Sequence, residues 1–194
     1  MRRLATIDTL TELANWRHFM DRMTEVLSRL RRDVNEKAAL LVLDVDHLKR
    51  INDSLGLAAG NATLRFLSGL LRDELRREDT AGRISSEKFA ILLPGSDLPS
   101  AAIFAKRLRK LIAETKPTIA GQPVAITVSI GVSAIDATDS TADQALTRAN
   151  QALQDARATG LKQIKVATNL PADTAQVGHR LRSGSSKNAL PTSC

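Results

Sequence analysis

The 194-residue sequence predicts a single α/β sandwich with a mixed, largely antiparallel central sheet. Three observations point there. Ala38 to Val45 (AALLVLDV) is a short apolar run ending in acids, the pattern of a central strand buried on both faces. Thr80 to Leu93 (TAGRISSEKFAILL) places two strand-like pieces around the polar stretch Ser85-Ser86-Glu87-Lys88, which reads as a hairpin. Four further segments repeat apolar residues at spacings of three and four, the mark of helices packed by one face.

In chain order, Thr11 to Leu30 forms the first helix, with Trp16, Phe19, Met20, Met23, Leu27 and Leu30 on its inner face. The strand Ala38 to Val45 follows. A second helix opens near Gly60, carries Leu64, Leu67 and Leu71, and ends near Arg77. In the second arm of the hairpin, Phe89, Ile91 and Leu93 alternate with Ala90 and Leu92 until Pro94 and Gly95 stop the strand. A third helix begins at about Ser100, with Phe104, Leu108, Leu111 and Ile112 facing inward. Gly121 to Pro123 turn the chain into a strand over Val124 to Ala134. Asp139, Ser140 or Thr141 caps a last helix with the stripe Ala142, Leu146, Ala149, Leu153 and Ala156, and Gly160 stops it. Gln163 to Ala167 is expected as an edge strand. Residues 168–194 are polar and without periodicity, a basic tail expected to be disordered.

Composition narrows the function classes. Apolar residues make up 43% and charged residues 25%, enough for a real core. The longest apolar run, Ala38 to Leu43, is far short of the roughly 20 residues of a membrane span. The start, MRRLATIDTLTEL, lacks the apolar stretch of a secretory signal. The single cysteine is Cys194, which leaves no disulfide framework and no thiolate metal site and makes the cytoplasm the expected compartment. Twenty-eight basic residues against 21 acidic give a net charge of +7, which favours anionic partners. Five aromatics (four Phe, one Trp) are too few for a stacking platform, so nucleic acid is disfavoured as a partner.

Chemistry concentrates in a few acids. Asp44 and Asp46 are two apart at the end of a buried strand and share a face, a plausible Mg²⁺ site, since that ion takes one or two carboxylates plus substrate phosphates. The alternative is that Asp46 caps a following helix over residues 47–54. Glu87, at the hairpin tip, is the candidate second ligand. The sequence has neither a G-x-x-x-x-G-K-[ST] loop nor G-x-G-x-x-G, and His18, His47 and His179 lack metal-ligand spacing.

From about Asp8 to Val166 the chain resembles the GGDEF domain of the bacterial diguanylate cyclase family. Asp8-Thr-Leu-Thr-Glu-Leu-Ala-Asn-Trp-Arg-His-Phe19 resembles the opening motif D-x-L-T-G-L-x-N-R-R-x-F, with Glu12 in place of glycine. Leu43 to Asp53 is similar to D-[IV]-D-x-F-K-x-I-N-D, Gly56 to Asn61 keeps the glycines of G-H-x-x-G-D, and Ser129 to Val132 matches S-[IV]-G-V. The resemblance implies residues 1–7 as a short lead, 8–167 as the domain, and a ferredoxin-like, cyclase-type fold. Its reaction joins two GTP, one on each subunit of a head-to-head dimer, into cyclic di-GMP, with Mg²⁺ stabilising phosphate charge. Carried over by motif, Asp44, Glu87 and the backbone of Val45 are metal ligands, Asn52 contacts guanine, and Lys49 and Arg157 stand where the family has phosphate-side lysines. Arg76-Arg-Glu-Asp79 matches the R-x-x-D of the family's inhibitory cyclic di-GMP site, where an arginine fork suits guanine or phosphate.

The departures cluster. Ser85-Ser86-Glu87-Lys88-Phe89 replaces G-G-[DE]-[DE]-F, Asn61 replaces a guanine-reading aspartate, and Leu161 replaces an arginine. If the turn needs a left-handed backbone, each serine there costs about 1–2 kcal/mol. Lys88 swings the local charge by two and removes a base. The expectation is a catalytically inactive domain in cyclic di-GMP signalling that binds cyclic di-GMP or GTP, with Mg²⁺ only if GTP binds, or docks on a partner signalling protein. The alternatives are an active diguanylate cyclase and a pure protein–protein scaffold. With seven residues before the opening motif, input is expected from a ligand or partner.

Overall fold

Strand β1 (Ala38–Val45) is buried along its whole length, because it is paired on both edges and covered on both faces. The computed structural model describes residues 6–167, so the expected tail over 168–194 lies outside the described residues. The further elements are α1 (Trp16–Arg32), α2 (Leu48–Leu55), α3 (Leu57–Glu74), β2 (Thr80–Arg83), β3 (Lys88–Pro94), α4 (Leu98–Glu114), the two-residue strands β4 (Thr118–Ile119) and β5 (Gln122–Pro123), β6 (Val128–Ile135), α5 (Ala142–Ala158) and β7 (Ile164–Val166). The five-stranded sheet runs β2-β3-β1-β6-β7, antiparallel except for the parallel β6–β7 pair. This is the mixed, mostly antiparallel α/β sandwich that the sequence predicts.

Strand parity divides the core in two. Ala39, Leu41, Leu43 and Val45 of β1 join Phe89 and Ile91 of β3 and Ile130 of β6 under α2, α3 and α4. Leu40 and Val42 join Leu92 on the other face, under Phe19, Met23 and Leu27 of α1 and Ala149 and Leu153 of α5. Each such Leu, Ile or Phe contributes about 1.5–3 kcal/mol through burial. The five residues of the expected α5 stripe are all buried. Its closeness to the sheet depends on Gly131 of β6: a Cβ there would lie 2.0 Å from the Ala149 carbonyl oxygen and 2.4 Å from the Leu153 nitrogen.

Several boundaries differ from the sequence expectation. The first helix starts at Trp16, not Thr11, because Asp8 Oδ1 accepts from Thr11 N (2.9 Å) and Thr11 Oγ1 (2.7 Å) and turns the chain, after which Asn15 caps the helix by accepting from His18 N at 3.0 Å. Trp16 is 45% exposed and does not face inward. Helix α2 matches the helix that the alternative reading of Asp46 put over residues 47–54, and α3 opens at Leu57, earlier than the expected Gly60; Gly56, at φ 88° and ψ 163°, separates the two. Helix α4 opens at Leu98, where Asp97 accepts from Ser100 N. Strand β6 starts at Val128, not Val124, because its partner β1 ends at Val45, opposite Val128. Among the described residues no helix is long and apolar enough to cross a membrane.

The close approach of α5 yields a paired test. Gly131→Ala is expected to cost about 3 kcal/mol by overpacking against backbone that cannot move aside. Gly69→Ala, in the interior of α3 with nothing within 4 Å of the added Cβ, is expected to gain about 0.5–1 kcal/mol from helix propensity. Urea denaturation of the two variants checks both signs.

Candidate functional site

The hairpin and the end of β1 bring the acidic residues together. In the β1–β3 register Asp44 stands opposite Lys88, and Val45 N donates to the Glu87 carbonyl at 3.4 Å. Asp44 is on the α5 side of the sheet and 1% exposed. Its Oδ2 accepts from the Arg157 guanidinium, which arrives from the last turn of α5, while its Oδ1 is buried with no hydrogen-bond partner. Burial pushes the Asp44 carboxyl above its ordinary value of 3.8, reinforced by the charges of Glu87 and Asp46 and opposed by Arg157 and Lys88. Arg157, expected on phosphate, here serves as the counterion of a buried acid.

Asp46 has a role that neither sequence reading assigned. Its carboxylate accepts from Ser129 Oγ at 2.8 Å, Thr127 Oγ1 at 2.9 Å and Lys162 N at 3.2 Å, and so ties β6 and the chain after α5 to the end of β1. It caps no helix: the residue before α2 is His47, in the left-handed region at φ 58° and without a side-chain cap. The partners that occupy Asp46 also take it out of the metal pair proposed with Asp44.

On the other side of this sheet end lies a cleft of about 310 Å³, lined by Lys49, Asn52, Asn61, Arg83, Ser86 and Glu87. It gathers the expected nucleotide residues of α2 and α3 with the hairpin acid; Arg157 lies outside its lining. Gly60 makes room for Asn52, since a Cβ there would lie 1.7 Å from Asn52 Oδ1. That oxygen is buried and without a hydrogen-bond partner.

The hairpin loop is held from below by Arg83, which sequence reasoning missed. Its Nη2 donates to the Ser86 carbonyl at 2.8 Å and its Nη1 to Asp8 Oδ1 at 3.2 Å. Burial alone would raise the Asp8 carboxyl, but hydrogen bonds from Thr11 and Arg83 and the Arg83 charge outweigh it and hold Asp8 below 3.8. The signal was available in the opening motif, whose aspartate needs a basic partner once it is partly buried. The expected strain at Ser85 and Ser86 does not arise: neither has positive φ, and the non-glycine residues that do are Glu12, His47, Ala120 and Lys162.

The residues fit a divalent cation only in part: Asp44 Oδ1 is buried without a hydrogen-bond partner, while the other Asp44 oxygen is taken by Arg157. No group of three or more His, Cys, Asp or Glu among the described residues could hold a metal ion. Of the two carboxylates present, Asp44 already holds a guanidinium and is paired across the ladder with a lysine. Two carboxylates facing two cations leave little net charge for Mg²⁺, which would depend on phosphates for its remaining ligands.

A second cleft, of about 360 Å³, lies between the opening turn, α1 and the segment joining α3 to β2, and contains Arg76 and Asp79. Asp79 Oδ2 accepts from Arg76 N at 2.9 Å, and Asp79 N donates to the Arg76 carbonyl at 3.2 Å, so R-x-x-D closes on itself as a turn. Arg76 is exposed. Burial raises the Asp79 carboxyl, with Glu78 adding to the shift and the Arg76 amide and charge opposing it.

A mostly antiparallel sheet between helix layers, with an acid-bearing strand end beside a hairpin and an amide-lined cleft, defines a nucleotide-cyclase-type domain. The family described as "Diguanylate cyclase, GGDEF domain" matches residues 5–163, and the chain belongs to that family. The chain is 36% identical over 166 residues to the Pseudomonas aeruginosa protein named diguanylate cyclase DgcP, covering 86% of this chain and 24% of that protein. The chain thus spans about a quarter of the length of that relative. Among solved structures, the GGDEF domain of DgcB from Caulobacter crescentus in complex with c-di-GMP superposes with a TM-score of 0.80 at 26% identity, covering 86% of this chain and 96% of that one. The diguanylate cyclase SiaD in complex with its activator SiaC from Pseudomonas aeruginosa gives 0.79 at 31% identity, over 84% of this chain and 62% of that one.

The raised Asp44 carboxyl has a pH signature. A group whose folded value lies above its unfolded one lends stability at low pH and loses it as pH rises through the folded value. Ionised Asp44 is therefore a liability at neutral pH, and the partly exposed Arg157 can turn to solvent without it. Asp44→Asn is expected to raise the urea midpoint at pH 7, by an amount that shrinks as pH falls toward 4. A gain that grows on acidification contradicts the assignment.

Proposed function

We propose that this domain is a non-catalytic member of cyclic di-GMP signalling that binds cyclic di-GMP in the cleft of Arg76 and Asp79. The observation that carries the reading is the pair of cations set against Asp44, the Arg157 guanidinium on one of its oxygens and Lys88 opposite it across the ladder. In-line attack by a ribose hydroxyl needs a group to take its proton and a charge sink on phosphate. An ammonium at position 88 donates and cannot accept. Asp44, the expected metal ligand, spends one oxygen on a guanidinium. Asn61 offers one carbonyl acceptor where a carboxylate would accept from both guanine N1–H and the N2 amine.

The Arg76–Asp79 cleft keeps what the first site has lost. An exposed arginine fork suits phosphate or the guanine O6/N7 edge, and a carboxylate beside it suits guanine N–H donors. The likeness to DgcB, a domain solved with c-di-GMP, supports that ligand class. GTP in the amide-lined cleft is the weaker variant of the reading, because its phosphates would meet Lys49 without the arginine that Leu161 replaces.

Two measurements test the proposal. Purified protein incubated with GTP and Mg²⁺ is expected to leave GTP intact by anion-exchange separation; cyclic di-GMP above a Glu87→Ala control overturns the non-catalytic reading. Calorimetric titration with cyclic di-GMP is expected to give binding that Arg76→Ala abolishes, while stability changes by less than about 1 kcal/mol, as for a surface substitution. No heat from the wild type refutes the ligand assignment and leaves docking on a protein partner.

A further inference from the structure

The cleft that holds Arg76 and Asp79 contains a second guanidinium, Arg72 of α3, and it is engaged from within the chain. Arg72 Nη1 donates to Glu12 Oε2 at 3.0 Å. Glu12 lies in the opening turn, across the cleft from α3, and both residues line it. Its backbone is at φ 59°, the left-handed region that favours glycine, and its amide is fixed there by donating to the Asp8 carbonyl at 2.8 Å. The chain thus accepts backbone strain at a position where the side chain delivers a carboxylate into a cleft of cations.

We propose that Arg72 is a further recognition residue of this cleft and that Glu12 is its internal competitor. The inference rests on the reading that cyclic di-GMP occupies the cleft. A ligand with two phosphodiesters has an anionic group for each of two arginines, but Glu12 already occupies one of them. The Arg72 and Glu12 side chains are 47% and 71% exposed, so their pair is the weak, solvent-screened kind, worth a factor of about five at most. That strength suits a competitor: enough to reduce affinity for the anion, too little to lock the cleft. Asp79, by contrast, is committed to the Arg76 amide and does not reach across. Removal of the Glu12 charge therefore frees Arg72 and also removes a repulsive charge from the approach path.

The experiment is calorimetric titration of cyclic di-GMP into the wild type, Glu12→Gln, Arg72→Ala and the double variant, with Arg76→Ala as reference. Glu12→Gln is expected to tighten binding about fivefold and to steepen its dependence on salt. Arg72→Ala is expected to weaken binding, and in the double variant the gain from Glu12→Gln is expected to shrink, because only the loss of repulsion remains once the competitor has nothing left to compete for. Glu12→Gly, which removes both the strain and the charge, serves as the second variant and is expected to tighten binding likewise with a raised melting temperature. Binding that Arg76→Ala abolishes but that Glu12→Gln, Glu12→Gly and Arg72→Ala leave within twofold overturns this inference and preserves the proposed function. Absence of binding in every variant, including those without Glu12, overturns both.

Discussion

A carboxylate at the end of a strand buried on both faces is the constraint around which this domain is arranged. Asp44 is 1% exposed, and its desolvation has to be offset from within the protein. The offset comes from α5: Arg157 reaches Asp44 only because α5 lies tight on β6, and it lies tight because Gly131 leaves room for the backbone of Ala149 and Leu153. Core packing on one face of the sheet therefore sets which counterion a residue at its end meets. The next acid along the chain, Asp46, uses its oxygens on Ser129, Thr127 and Lys162 and fastens the same corner from the other side. Packing and electrostatics at this corner are one problem with one solution.

How much of this was legible in the sequence depends on how local each determinant is. The limits of β1 coincide with the apolar run because that run must be buried wherever it is placed. The hairpin and the α5 stripe were legible for the same reason. The start of α1 was not, since it is set by the side chain of Asp8 turning the chain, and the start of β6 depends on where a distant strand ends. At the site, motif spacing placed Asp44, Glu87, Lys49, Asn52 and Asn61 at one sheet end, and the fold brings them there. What spacing could not give was partners. Arg157 on Asp44 and Arg83 between Asp8 and Ser86 join residues more than 70 positions apart. Motif comparison also suggested strain at the two serines, yet among the described residues the positive φ values of non-glycine residues fall elsewhere, on Glu12, His47, Ala120 and Lys162.

Taken as a set, the unusual residues of the first site act on charge more than on shape. Lys88 and Arg157 set positive charge against Asp44, whose ionised form burial, Glu87 and Asp46 disfavour. A site of uncompensated acids would be the reverse, destabilised until a cation arrives, because the acids repel and their desolvation goes unanswered. At this corner the guanidinium meets only one Asp44 oxygen, and the other is buried without a partner.

The second cleft follows the opposite logic, and the contrast explains why binding is assigned there. Its arginines and Glu12 are exposed, the Arg72–Glu12 ion pair across the cleft is weak, and Arg76 points to solvent. Charges kept at the surface retain their hydration, so exchanging one partner for another costs little, and a multivalent anion gains from every guanidinium it reaches. Asp44 cannot exchange its partner in this way, because loss of Arg157 strands its charge in the protein interior. Within one small domain, the depth at which a charge is set decides whether it maintains the fold or remains free to recognise a ligand.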